Sequence, residues 1–191
     1  MKKSLHIAII LITASLFWYC TDKFDMPVIS KGNPGNIGGD TIYIQQNPVW
    51  TGFNKPQDLI IGKEPFLYVC DTDNDRVVMM NLAGEILGTR YVQKPVAIAQ
   101  DHLLNLIVCG ELVHEGQVYS AVFKIHLFDS HHDLASAKID TLLPKTSFDF
   151  ARPDRKFTGV TTFYDNSFYV ARTGPVNSSP VDPDNSILIF K

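Results

Sequence analysis

An all-β fold, specifically a β-propeller of four-stranded blades with about three blades present over residues 41–191, is what this sequence predicts. Three observations lead there. From residue 41 onward, short apolar or alternating runs are punctuated by Gly, Pro, Asn and Asp, the pattern of many short strands joined by turns. No stretch of ten or more residues sustains a clean helical period, although Asp133–Leu143 can be read that way. Lastly, the chain repeats itself. Lys55-Pro56-Gln57-Asp58-Leu59-Ile60 is echoed by Lys94-Pro95-Val96-Ala97-Ile98-Ala99, and Leu67-Tyr68-Val69-Cys70 by Leu106-Ile107-Val108-Cys109, both 39 positions apart. That spacing is close to the roughly 40–45 residues of a four-stranded blade and favours radial blades over a sandwich or barrel.

Composition bounds the rest. The 191 residues are 45% hydrophobic and 19% charged, with a formal net charge of -3, enough apolar content for one globular domain. The weakly acidic balance offers no clustered basic face, so nucleic acid is excluded as a partner. Cys20, Cys70 and Cys109 are too few for a disulfide scaffold.

The elements follow in chain order. Met1-Lys2-Lys3 is a basic start, and Leu5–Tyr19 is an apolar run of fifteen residues. This is shorter than the about 20 residues of a membrane-spanning helix and matches the apolar region of a signal peptide, assigned to residues 1–19. The run ends at Cys20, before the polar Thr21-Asp22-Lys23. A basic start, an apolar stretch and then Cys resembles a bacterial lipoprotein signal. The resemblance implies lipid attachment at Cys20, a membrane partner held through that anchor, and a place in the bacterial cell envelope, at the outer membrane or in the periplasm. Phe17-Trp18-Tyr19 are bulkier than the small residues that family prefers there, and an uncleaved anchor is the alternative. Removal of residues 1–19 takes Lys2 and Lys3 and shifts the formal charge from -3 to -5. Residues 20–40 read as a lipidated tether, since Lys31-Gly32-Asn33-Pro34-Gly35-Asn36 and Gly38-Gly39 favour turns over packing.

Candidate strands are Thr41–Gln45, Gln57–Ile61, Phe66–Cys70, Arg76–Met80, Glu85–Leu87, Val96–Ala99, Leu104–Cys109, Gln117–Phe128, Ser136–Leu142, Thr158–Phe163, Ser167–Ala171 and Ser186–Phe190. A fainter third copy of the repeat runs from Phe157-Thr158-Gly159-Val160 to Phe168-Tyr169-Val170-Ala171. It stands 62 positions from the second, which predicts inserted loops within Glu111–Gln117 and Leu143–Lys156.

The first copy carries a family resemblance. Lys55-Pro56, an apolar strand, and then Tyr68-Val69-Cys70-Asp71-Thr72-Asp73-Asn74-Asp75-Arg76-Val77, closed by Ala83-Gly84, resembles an NHL repeat. Residues 55–88 match well, 94–142 moderately and 157–190 faintly. The resemblance implies a bacterial six-bladed, TolB-like propeller built of NHL-like blades, which is more than about three blades. The chain is therefore expected to be part of a longer protein or to complete its ring by self-association.

Several individual residues have plain structural roles. Asp71 and Asn74 can build a tight turn with their side-chain oxygens, and Arg76 can reach back to Asp71 or Asp75. Asp71-x-Asp73-x-Asp75 alternates oxygen ligands, but the Gly and distal Glu of a Ca²⁺ loop are missing and Arg76 competes, so no metal site and no cofactor is assigned. Cys70 and Cys109 occupy equivalent repeat positions and read as core residues too far apart to bridge. His131-His132-Asp133 reads as a hairpin tip, and the histidines have no zinc-ligand spacing. Glu111 and His114, on an inserted loop, are weak candidates for ligand binding, as is Arg172 beside the Pro-rich Thr173–Pro183 loop. No catalytic arrangement is found: there is no Gly-x-Ser-x-Gly run and no phosphate-cradling Gly loop.

The resemblance therefore implies a binding scaffold without turnover, for an unknown protein, glycan or small-molecule ligand. A metal-dependent lactonase- or lyase-like enzyme with most of its site in further blades is the alternative, and a truncated, non-functional remnant is a third reading.

Overall fold

A computed structural model describes residues 44–177 and 179–191. The signal peptide, Cys20 and the tether lie outside these described residues. Residues 48–191 form a compact unit that holds every strand among the described residues.

The described residues are all-β, in three antiparallel sheets. The first joins β1 (Pro56–Ile61), β2 (Phe66–Asp71), β3 (Arg76–Asn81) and β4 (Ile86–Tyr91) in sequence order. The second joins β5 (Gln93–Gln100), β6 (Leu106–His114), β7 (Gln117–His126) and β8 (Lys138–Leu143) in the same way. The third consists of β9 (Lys156–Thr162), β10 (Phe168–Thr173) and β11 (Ser186–Phe190), with β10 central. A single turn of helix, α1 (Ser147–Phe150), stands between β8 and β9.

Eleven of the candidate strands form. Asp133–Leu143 resolves as a turn followed by β8 rather than a helix. The exception is Thr41–Gln45: Ile44 and Gln45 are not in a strand, and the remainder lies outside the described residues. The expected loop at Glu111–Gln117 is also corrected. β6 and β7 extend through it as a long hairpin, paired from Leu106↔Ile125 out to His114↔Gln117. The extra residues prolong a ladder because Leu112, Val113, Val118 and Tyr119 suit a pleated backbone, and Glu115-Gly116 closes it with positive φ at both positions.

The sheets stack through their faces, and side-chain alternation shows how. In β6, Leu106 and Val108 join a core shared with Tyr68, Cys70 and Val77 of the first sheet. Ile107 and Cys109 point the other way, into a core with Phe157 and Val170 of the third. The second sheet is thus covered on both faces, which is why Leu106-Ile107-Val108-Cys109 is continuously apolar instead of alternating. Each fully buried aliphatic side chain here contributes about 1.5–3 kcal/mol. The far face of the first sheet, with Leu67, Val69, Val78 and Met80, is covered by Phe53.

Each sheet begins next to its neighbour's first strand. The Asp58 carboxylate of β1 accepts the Ile98 amide of β5 at 2.8 Å, and the Thr162 hydroxyl of β9 donates to the Gln100 carbonyl of β5 at 2.7 Å. Further along, the Lys63 amide meets Gln100 as Asp58 meets Ile98, and Lys94 and Val96 stand by Lys156 and Thr158 as Gln100 stands by Thr162, so β1, β5 and β9 run the same way and the three sheets present their connections at two common ends. One end holds the β2–β3 turn, the tip of the β6–β7 hairpin, the β8–β9 connection and the Gly174–Asn185 loop.

Candidate functional site

Asp71, Asn74 and Arg76 sit at that end, in the β2–β3 connection. Asp71 is fully buried: its Oδ1 accepts the Asn54 amide at 2.7 Å, and its Oδ2 accepts from Asn74 Nδ2 at 2.8 Å and Arg76 Nε at 2.7 Å. Asn74 thus contributes its amide nitrogen rather than the oxygen expected of it. Burial alone would raise the Asp71 carboxyl, but the hydrogen bonds from Asn74, Asn54 and Arg76 outweigh it and hold it below the usual carboxylate range. The three aspartates do not converge. Asp73 pairs with Lys94 Nζ at 3.2 Å, and Asp75 accepts the Lys94 amide at 2.9 Å. Among the described residues no three His, Cys, Asp or Glu side chains are placed to hold a metal ion. The cluster ties the first sheet to the start of β5, helped by the Thr72 hydroxyl, which donates to the Pro95 carbonyl at 2.6 Å.

The same end opens into a cleft of about 270 Å³ between β7, β8, α1 and the third sheet. Its apolar lining includes Leu143, Pro144, Leu188 and Phe190, and its polar lining Arg152, Arg155, Arg172 and Asp149. Arg172 comes from β10, on the inward face shared with Val170, and Arg155 from the turn just before β9; both are more than nine-tenths buried. They converge on one carboxylate. Asp182 takes Arg155 Nη2 on Oδ2 at 2.5 Å and Arg172 Nη1 on Oδ1 at 2.7 Å. Asp184 takes Arg155 Nε at 2.6 Å and the Asn177 side-chain amide, and Arg172 Nη2 donates to the Pro183 carbonyl. Arg172 Nε is buried with no hydrogen-bond partner among the described residues. Burial would raise both aspartates, but the side chains bonded to them, Arg155 and Arg172 at Asp182 and Asn177 and Arg155 at Asp184, hold both below the ordinary range. Reciprocally, Asp182 and Asp184 hold Arg155 above its ordinary value against the opposing effect of burial.

α1 forms the rim. Thr146 caps it: the Thr146 hydroxyl oxygen accepts the Asp149 amide, and the Asp149 carboxylate accepts the Thr146 amide at 2.9 Å. That capping box is legible in Thr146-Ser147-Phe148-Asp149 and is the signal by which the helix could have been found.

Of the expected ligand residues, Arg172 therefore lines the cleft. Glu111 and His114 lie on β6, not on an inserted loop. Glu111 lines an adjoining cleft of about 250 Å³ together with Lys94, Ser120 and Lys156. His114 stacks on Phe150 of α1 with ring centres 4.3 Å apart, outside both clefts. Ser120 and Phe157 line both clefts and join them, and the Ser120 hydroxyl oxygen accepts the Phe157 amide at 2.9 Å. Arg155 is the residue the sequence did not disclose. It belongs to no motif, and its partners stand 27 and 29 positions away. At the opposite end, Glu64 accepts from the Tyr68 hydroxyl at 2.8 Å and from Gln100 Nε2 at 2.9 Å, which fastens the first sheet to the second.

A scan against protein-family models and a search of curated proteins each returned no match.

Proposed function

We propose that this chain is a membrane-anchored bacterial envelope lipoprotein. Its stacked sheets are NHL-like propeller blades, and they act as a binding scaffold whose ligand surface is the end carrying the arginine cleft. The observation that carries this reading is the convergence of the sheet connections. Three sheets with parallel first strands turn Arg155, Arg172 and Glu111 toward one end, around two joined clefts. Radial blades produce such a shared end, and clefts with an apolar body and a few placed polar groups are the usual form of ligand sites. The NHL-like run at Leu67–Val77 and the lipoprotein-like start ending in Cys20 support the same reading from the sequence.

Fractionation tests the anchor. Full-length protein expressed with its own leader is expected in the membrane fraction, carrying an acyl mass on a chain that begins at Cys20. The Cys20→Ala variant is expected to lose that mass and leave the fraction. A wild-type chain found soluble with an unmodified Cys20 would refute the lipoprotein reading.

A further inference from the structure

Resting on the binding-scaffold reading, we propose that the arginine cleft takes a small organic carboxylate with an apolar body. Asp182 then serves as an internal stand-in for the ligand's carboxylate, to be displaced when the ligand binds.

The geometry of Asp182 is that of a recognised anion. Two guanidinium groups from separate elements, Arg155 before β9 and Arg172 on β10, grip its two oxygens one each at 2.5 and 2.7 Å. A charge-assisted hydrogen bond on each oxygen, from two directions, is short and strong and suits a carboxylate. Arg172 also keeps a buried Nε without a partner, so the site holds one more donor than the loop satisfies, and a buried unsatisfied donor is costly.

The loop that delivers Asp182 is otherwise poorly seated. Val176 and Val181 on it are 91% and 90% exposed, so little apolar burial holds it down. A further hollow of about 220 Å³ lies beneath it, against Arg152, Pro153 and Val176. The loop is joined to the sheets chiefly through the arginine–aspartate contacts. A ligand carboxylate that takes the place of Asp182 on Arg155 Nη2 and Arg172 Nη1 replaces those two contacts at small net cost, while Arg155 Nε stays with Asp184. It also gains the apolar lining of Leu143, Leu188 and Phe190, which Asp182 leaves unused. Displacing Asp182 removes a negative charge from the arginines, and the site then favours an anion over a neutral molecule of the same shape.

Hexanoate is a suitable probe and hexan-1-ol its neutral counterpart, titrated calorimetrically into the full chain. Hexanoate is expected to bind and hexanol to bind at least tenfold more weakly. Asp182→Asn removes the competing charge and is expected to tighten hexanoate binding about tenfold, because the fraction of protein with a free site rises. Arg172→Lys, which keeps the charge but cannot hold the Asp182 position and the Pro183 carbonyl at once, is expected to weaken it about tenfold. Amide hydrogen exchange on the wild type avoids any dependence on how the variants fold: hexanoate is expected to speed exchange over residues 179–185. Equal binding of hexanol and hexanoate would overturn the role given to the arginines while leaving a ligand-binding cleft in place. Absence of binding by either probe, unchanged affinity in Asp182→Asn, or unchanged exchange in the loop would overturn the proposal itself. The membrane-anchor reading is judged separately by the fate of Cys20.

Discussion

Asp71 illustrates what one residue contributes. Its carboxylate has no exposure and receives three hydrogen bonds, two of them from the turn it organises. Because it titrates below its unfolded-state value of about 3.9, its stabilising contribution is present above that pH and fades as pH falls through the lower folded-state value. Asp71→Asn is expected to cost about 2 kcal/mol at neutral pH. Urea unfolding should show the gap to wild type narrowing as the pH falls below about 3.9, because the unfolded wild-type chain then takes up a proton that the native carboxylate resists. A gap that stayed constant down to pH 2 would mean that packing, not charge, accounts for the loss. The presence of Asp71, Asn74 and Arg76 in one turn was legible, since their positions lie within six residues of each other. The donor from Asn54 was not, because it arrives from 17 positions away.

At the scale of elements, strands were read well because each carries its own signal in side-chain alternation and bounding turn residues. Their lengths were read less well: β4 runs to Tyr91 and β6 to His114, beyond the apolar runs that marked them. A strand that finds a paired neighbour continues past the run that marks it, as β6 does against β7 out to His114↔Gln117. The turn between β3 and β4 shows an element fitted to what covers it. Gly84 has φ +89°, and a Cβ there would lie 2.3 Å from the Trp50 indole nitrogen. Gly84→Ala is therefore expected to destabilise by about 2 kcal/mol, from left-handed backbone strain together with displacement of the indole. In a Trp50→Ala background the same change should cost about 1 kcal/mol less, as a double-mutant cycle of unfolding free energies would show. Full additivity would mean that the indole does not confine the turn.

In the whole molecule, the two cysteines of the repeat report on the stack. Cys70 lies in the core between the first and second sheets and Cys109 in that between the second and third, both fully buried and unbridged. Burial, with lesser help from the Asp58 charge, pushes the Cys109 thiol up to about 12, and the same causes together with Cys109 push Cys70 higher still. Thiol reagents at neutral pH should therefore leave both unmodified in the native protein. Peptide mapping under increasing denaturant should show them reacting together, since both faces of the second sheet open only when the stack does. Reaction of Cys109 well before Cys70 would show the third sheet detaching on its own.

The order of strands, their grouping by a 39-residue repeat, the β2–β3 turn and the buried character of both repeat cysteines were determined by the sequence alone. Each of these rests on residues close in the chain or on a pattern repeated along it. The tertiary structure decided the cleft. Arg155 and Asp182 come from two connections, and Arg172, Leu143 and Phe190 from β10, β8 and β11; they meet only because the second and third sheets pack face to face with those connections at one end. No local propensity encodes a meeting of charges so far apart in sequence; it is set by how three sheets bury their faces against one another.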